Sequence, residues 1–207
     1  MRANMKTPGE VPARDKVSLR EEVRAALAQL SEPDRRECSR QIRSRIKTLE
    51  VWKQAVSVLF YAPFGAEPDI WELIKDALAS EKRAFLPRFD RRQAIYKVCE
   101  IRDAETDTEK GRFGIREPRQ TCPELSLNRL DLILVPGIAF DLEGHRLGRG
   151  KGYYDRLLAE LHGVKCGVAF DEQIVNCVPV EPHDMRLNCI VTPTRWQSVT
   201  GPRAVLK

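Results

Sequence analysis

The sequence predicts an α/β fold with a mixed, mostly parallel sheet and helices on both faces, a Rossmann-like three-layer arrangement. Two observations predict it. Short apolar runs without polar alternation, AVSVLFYA at 55–62 and LILV at 132–135, read as strands covered on both sides. Segments of helical periodicity alternate with such runs along most of the chain, and that alternation builds βαβ units. The 207 residues are 42% hydrophobic and 31% charged, a balance that supports a packed core and excludes a disordered chain.

The elements follow in order. Residues 1–14 read as a flexible tail, residues 15–200 as one domain and residues 201–207 as a second tail. Leu19, Val23, Ala26, Leu27 and Leu30 recur at helical spacing, which predicts an amphipathic helix over 16–30. Ser31 opens a second helix, with Pro33 in its first turn and Asp34 three residues after the cap, running to about 49. The strand at 55–62 ends at Pro63 and Gly65. Asp69 can cap a helix over 70–82. Short strands are expected at 84–86 and, with weak alternation, at 94–101. The stretch 105–127 is rich in glycine, proline and charge and reads as a long functional loop. A central strand at 132–135, a helix over 150–162 and strands at 165–170 and 187–192 complete the set.

Bulk properties narrow the function. Lys and Arg number 35 against 30 Asp and Glu, a formal net charge of +5. That suits an anionic ligand, but it lacks the dense basic stripe of a nucleic-acid binder, so no nucleic-acid partner is expected. Six cysteines include no C-x-x-C pair, which argues against a zinc knuckle or thioredoxin-type motif. The N-terminus has no apolar signal region, and no run is long enough to span a bilayer. A cytoplasmic protein without a membrane partner is expected. A monomer is expected, a dimer being compatible.

The chemistry concentrates in DLILVPGIAFDLEGHRLGRGKGYYDRLL (131–158), an apolar strand leading through a glycine-rich loop into a helix. Gly148, Gly150 and Gly152 let backbone N–H groups approach an anion closely. The following helix offers unpaired N–H groups and the positive end of its dipole. Arg146, Arg149 and Lys151 crowd three cations into six residues, an arrangement that a polyanion would relieve. The spacing is neither Walker A, because Gly152 rather than Ser or Thr follows Lys151, nor the dinucleotide fingerprint, because it reads G-x-G-x-G. Lys16 and Arg20 stand one helical turn apart on a shared face. Asp155 can serve as a helix-surface partner and Asp141 as a loop cap.

The segment 135–158 strongly resembles the signature of the 5-formyltetrahydrofolate cyclo-ligase family, and weaker likeness extends over about residues 15–195. The resemblance implies ATP-dependent closure of 5-formyltetrahydrofolate to 5,10-methenyltetrahydrofolate. It implies ATP binding by Lys16, Arg20, Arg146, Leu147, Gly148, Arg149, Gly150, Lys151, Gly152, Tyr153 and Tyr154. Folate contact falls to Ala62 and Glu67, within YAPFGAEPD at 61–69, and to Arg149, Gly150, Lys151, Gly152 and Tyr153. Asp155 and Asp184, the latter in the His183-Asp184 pair, would hold Mg²⁺, with Asp141 a weaker metal candidate. Arg149 and Lys151 are the catalytic candidates, because phosphoryl transfer needs charge neutralised on the moving group. Leu86-Pro87-Arg88, Phe113-Gly114-Ile115 and Glu117-Pro118 resemble segments near the substrate. Ile95-Tyr96-Lys97 departs from the family pattern, where a methionine is common. The expected partners are thus 5-formyltetrahydrofolate and MgATP. The rivals are another small ATP-dependent kinase or ligase on the same loop, and a non-catalytic folate or nucleotide binder.

Overall fold

A computed structural model describes residues 15–111, 114–125, 129–181 and 184–199. The two tails at 1–14 and 201–207, together with Phe113 and His183, lie outside the described residues. In chain order the elements are α1 (Lys16–Gln29), α2 (Glu32–Thr48), α3 (Glu50–Gln54), β1 (Ser57–Leu59), α4 (Trp71–Ala79), β2 (Arg83–Asp90), β3 (Ile95–Ile101), β4 (Thr108–Lys110), β5 (Arg116–Pro118), β6 (Arg129–Val135), β7 (Ala139–Asp141), β8 (Arg146–Leu147), α5 (Tyr153–Glu160), β9 (His162–Val168), β10 (Ile174–Val175), β11 (Cys189–Val191) and β12 (Trp196–Ser198). A 3₁₀ turn at Asp171–Gln173 precedes β10.

Seven strands form one sheet in the order β12-β11-β9-β6-β1-β2-β3. The five inner strands are parallel, and β3 and β12 pair antiparallel at the two edges. Strand β6 shows why the sheet needs cover on both faces. Its side chains alternate, so Leu132 and Leu134 join the core beneath α1–α4 while Ile133 and Val135 join the core beneath α5. The first core takes Leu19 and Val23 from α1, Ile42 and Ile46 from α2, Trp52 from α3 and Leu73 and Ile74 from α4. The second takes Leu157 and Leu158 from α5. The predicted three layers are present, with four helices on one face and one on the other.

The helix starts follow local chemistry. Asp15 caps α1, its carboxylate accepting the N–H groups of Val17 and Ser18 at 2.7 and 2.9 Å. Ser31 caps α2 through the Asp34 N–H at 3.3 Å. Asp69 accepts the Trp71 N–H at 2.9 Å at the start of α4. Asp131 fixes β1 to β6 by accepting the N–H groups of Val56 and Ser57 and the Ser57 hydroxyl.

Helix α3 and the short strands β7, β8, β10 and β12 are additions to the expected set, and three expected elements differ. The stretch 105–127 contains a small antiparallel ladder, β4 with β5, beyond a turn where the buried Thr108 hydroxyl donates to the Ala104 carbonyl at 2.8 Å. Strand β2 runs on to Asp90 instead of ending near 86. Its register with β1 stops at Leu59↔Phe85, so Pro87 lies where β1 demands no N–H. Helix α5 begins at Tyr153 instead of 150, because Gly150 and Gly152 have φ of 93° and 63° and cannot belong to a right-handed helix. No helix among the described residues is long and apolar enough to cross a membrane.

Candidate active site

In an open parallel sheet, ligands gather beyond the carboxyl ends of neighbouring strands whose connections run in opposite directions. Strand β1 lies between β2 and β6, so this switch point falls between β1 and β6. A cavity of about 330 Å³ opens there. Tyr61, Ala62, Phe64 and Glu67 line it from the loop after β1, and Pro136 and Gly137 from the loop after β6.

The loop after β1 is held from within. The buried Tyr61 hydroxyl donates to the Pro68 carbonyl at 2.7 Å, and the Phe64 N–H donates to Glu67 Oε2 at 3.0 Å. The Glu67 side chain is only 12% exposed. Burial pushes its carboxyl above the usual carboxylate range, opposed by the Arg149 guanidinium, the Phe64 N–H and the Arg146 charge.

The glycine-rich loop is held from below and open above. Beneath it, the hairpin of β7 and β8 turns around Asp141. This buried carboxylate accepts the N–H groups of Glu143, His145 and Val178 and faces His145 Nδ1 at 3.0 Å. Asp141 is thus a loop anchor, and the weaker metal reading of it gives way. Arg146 is 6% exposed; its guanidinium donates to Asp155 and to the Pro136 carbonyl. At Gly148 a Cβ would stand 3.2 Å from Arg146 Nη1, so a side chain would crowd that guanidinium. Gly150 lies against Arg20, whose Nε donates to the Gly148 carbonyl at 3.0 Å. Arg149 reaches across to the other loop, donating to Glu67 Oε1 at 2.7 Å and to the Phe64 carbonyl at 3.1 Å.

Of the expected residues, Ala62, Glu67, Arg146, Gly148, Arg149, Lys151, Gly152, Tyr153, Tyr154 and Asp155 all line the cavity. The Leu147 side chain is buried, which leaves its backbone for any ligand. Gly150, Lys16, Arg20 and Asp184 are not in the lining. Arg20 still touches the loop, whereas Lys16 pairs with Asp184 at 2.8 Å and Glu181 at 3.1 Å. Pro87, Tyr96, Ile115 and Glu117 reach the cavity. Arg88 does not; it is buried and tied to the Arg119 carbonyl and Glu124.

Magnesium takes hard oxygen ligands, one or two carboxylates together with phosphate oxygens. Asp155 fits that demand as a carboxylate on the cavity wall. Among the described residues, no three His, Cys, Asp or Glu side chains converge as a ready-made metal cluster. The protein's contribution would therefore be completed by a ligand's phosphates.

Phe89 and Arg116 also line the cavity and escaped the sequence reading, while Pro136 and Gly137 lie within the signature segment without having been given a role. Phe89 and Tyr96 are cross-strand partners, with ring centroids 5.4 Å apart, and Tyr153 stands 5.1 Å from Phe89. Extending β2 to pair with β3 would have placed the first two side by side. The Tyr154 hydroxyl and Arg146 Nε are buried beside the cavity with no hydrogen-bond partner among the described residues.

The chain is similar to proteins of one known family. Residues 12–193 match the 5-formyltetrahydrofolate cyclo-ligase family. The 5-formyltetrahydrofolate cyclo-ligase of Escherichia coli K12 is 31% identical over 180 residues, covering 84% of this chain and 99% of the relative. The mouse enzyme of the same name is 29% identical over 184 residues, covering 84% and 91%. The solution structure of a 5,10-methenyltetrahydrofolate synthetase from Aquifex aeolicus superposes with a TM-score of 0.82 at 34% identity, over 91% of this chain and 95% of that one.

Proposed function

This chain belongs to the 5-formyltetrahydrofolate cyclo-ligase family, and from that premise we propose how its residues divide the work of closing 5-formyltetrahydrofolate to 5,10-methenyltetrahydrofolate with cleavage of ATP to ADP and phosphate. The carrying observation is one cavity walled by both loops: a buried carboxylate on one side, glycines and cations on the other.

The N5-formyl group is amide-like, so its carbon is a poor electrophile and its oxygen a poor leaving group. The formyl oxygen attacks the γ-phosphorus of ATP and ADP departs, leaving an N5-iminium phosphate. The N10 lone pair then attacks the activated carbon. The C–O bond breaks, phosphate leaves with that oxygen, and N10 loses its proton. Substrate atoms supply both nucleophiles. The protein therefore contributes position and charge.

Arg149 and Lys151 neutralise the moving phosphoryl group. Lys16, Arg20 and Arg146 meet the remaining phosphates, and backbone N–H groups from Leu147 to Gly152 approach where side chains would obstruct. Tyr153 and Tyr154 wall the nucleotide side. Ala62 borders the pterin. Glu67 accepts hydrogen bonds from its amino group and a ring N–H, a pairing that suits a carboxylate. Asp155, with Asp184 once Lys16 turns to phosphate, would hold Mg²⁺, which would supply charge neutralisation on the phosphate oxygens. Six unbridged cysteines suit the reducing cytoplasm to which we assign the protein.

The test is direct. The protein, ATP, Mg²⁺ and 5-formyltetrahydrofolate are mixed and the near-ultraviolet absorbance of the methenyl product is followed. A steady rise is expected; a flat trace with active protein would favour a different acceptor on the same phosphate loop.

A further inference from the structure

Three of the cations assigned to ATP phosphates are already paired in the free protein, each with a carboxylate assigned to another ligand. Arg149 holds Glu67, Arg146 holds Asp155, and Lys16 holds Asp184. The first pair is the one that ties the glycine-rich loop to the loop after β1. Arg149 Nη2 bridges Glu67 Oε1 and the Phe64 carbonyl, and the guanidinium carbon lies 4.8 Å from the centre of the Phe64 ring. The two partners differ in freedom: the Glu67 side chain is 12% exposed and the Arg149 side chain 49%. Arginine is the one with room to swing.

The pair sets up a conflict for either ligand arriving alone. Arg149 Nη2 cannot serve a phosphate while it serves Glu67. Glu67 has one oxygen on the Phe64 N–H and the other on Arg149, so a pterin's donors must compete with the arginine for that second oxygen. A phosphate that draws Arg149 away leaves a buried carboxylate without its ion-pair partner, held by the Phe64 N–H and the more distant Arg146 charge, and that is costly. A pterin that occupies Glu67 leaves Arg149 without its ion-pair partner. When both ligands are present, each displaced group gains a new partner.

Resting on the function proposed above, we infer that Glu67 and Arg149 form an exchange contact that couples the nucleotide and folate subsites, so that each ligand tightens the other. Coupling of this kind is reciprocal: the factor by which nucleotide improves folate binding equals the factor by which folate improves nucleotide binding. One consequence separates this from simple contact. Glu67 touches folate, yet removing its charge improves nucleotide binding when folate is absent, because Arg149 is then no longer held back.

The experiment is titration calorimetry on the full chain with a non-hydrolysable ATP analogue and Mg²⁺, with and without 5-formyltetrahydrofolate, for wild type, Glu67→Gln and Arg149→Gln. In wild type each ligand should tighten the other about 10-fold. Glu67→Gln should bind the analogue about 5-fold more tightly without folate and lose the coupling. Arg149→Gln should bind the analogue more weakly, and adding Glu67→Gln to it should change nucleotide affinity no further. Equal analogue affinity in wild type and Glu67→Gln would overturn the inference, as would a wild-type coupling factor of one, a result that needs no variant to fold. Either result alongside normal wild-type turnover leaves the proposed function standing. A wild type that forms no methenyl product fails the function itself.

Discussion

The two loops that face each other across the cavity share a plan, strand then turn then helix, and solve it in opposite ways. The loop after β1 closes on itself. Tyr61 ties to the Pro68 carbonyl, Glu67 ties to the Phe64 N–H, and its one left-handed glycine, Gly65 at φ 67°, has nothing within 4 Å of where a Cβ would be. The glycine-rich loop is closed by outsiders. Arg20 from α1 holds the Gly148 carbonyl, and Arg149 leans on the opposite loop. The first loop is shaped by its own side chains; the second is shaped by backbone conformation and waits for a ligand to complete it. The difference teaches where substitutions should injure folding and where they should injure only chemistry.

The largest effect should come from the open loop. Lys151 is exposed at the cavity wall, so Lys151→Ala should keep the melting curve of the wild type while kcat falls about 10²- to 10³-fold in the absorbance assay. Unchanged turnover would remove Lys151 from the mechanism.

Next comes one left-handed glycine from each loop. Gly150→Ala imposes a side chain at φ 93°, and strain of this kind costs about 1–3 kcal/mol. Relieving the strain reshapes the loop, so affinity for the ATP analogue should drop about 10-fold, the equivalent of about 1.4 kcal/mol. Gly65→Ala pays a similar backbone penalty in open space and should leave nucleotide affinity alone. Equal nucleotide defects in the two variants would erase the contrast between the loops.

The pH dependence sharpens it further. Glu67 faces Arg149 and Arg146 as well as the tyrosines Tyr61, Tyr96 and Tyr154. Its folded pKa is raised, chiefly by burial. The sign for stability follows: its contribution is full below the ordinary glutamate pKa and is lost as pH rises through the raised value. In the proposed pairing the pterin's donors need the ionised carboxylate, so folate binding runs the other way and affinity should fall as pH drops through that value. Arg149→Gln removes a group that lowers this pKa, and the acid limb of the folate-affinity profile should move to higher pH. A limb that stays in place would show that Glu67 does not titrate in that range.

The smallest effect should be Tyr154→Phe. The lost hydroxyl is buried without a hydrogen-bond partner among the described residues, so urea unfolding should show stability unchanged or raised by about 1 kcal/mol. A clear loss of stability would reveal a partner for that hydroxyl.

Much of this was legible before any coordinates. Helix α1 announces itself by apolar spacing, α2 by Ser31 and Pro33 at its start, and β6 by four consecutive apolar residues. Arg149, Lys151 and Glu67 stood out because their motifs are local. What stayed hidden depends on distant pairing. Strands β7, β8, β10 and β12 have two or three residues each, too few to show a period, and exist because their partners lie beside them. Phe89 and Tyr96 became neighbours only once β2 and β3 took their register. The ion pairs of Lys16 with Asp184 and Arg149 with Glu67 join residues 168 and 82 positions apart, and no window of sequence contains both members.

Strand β1 pairs on one side with β6, and the Ser57–Asp131 contacts that lock this seam span 74 residues. During synthesis β1 must therefore wait, with one ladder of N–H and C=O groups unsatisfied, until the middle of the chain has left the ribosome. A bare edge of that kind is an invitation to pair with the wrong neighbour. A fragment ending before residue 129 should accordingly precipitate, and the catalytic cleft should be among the last features to mature in a nascent chain.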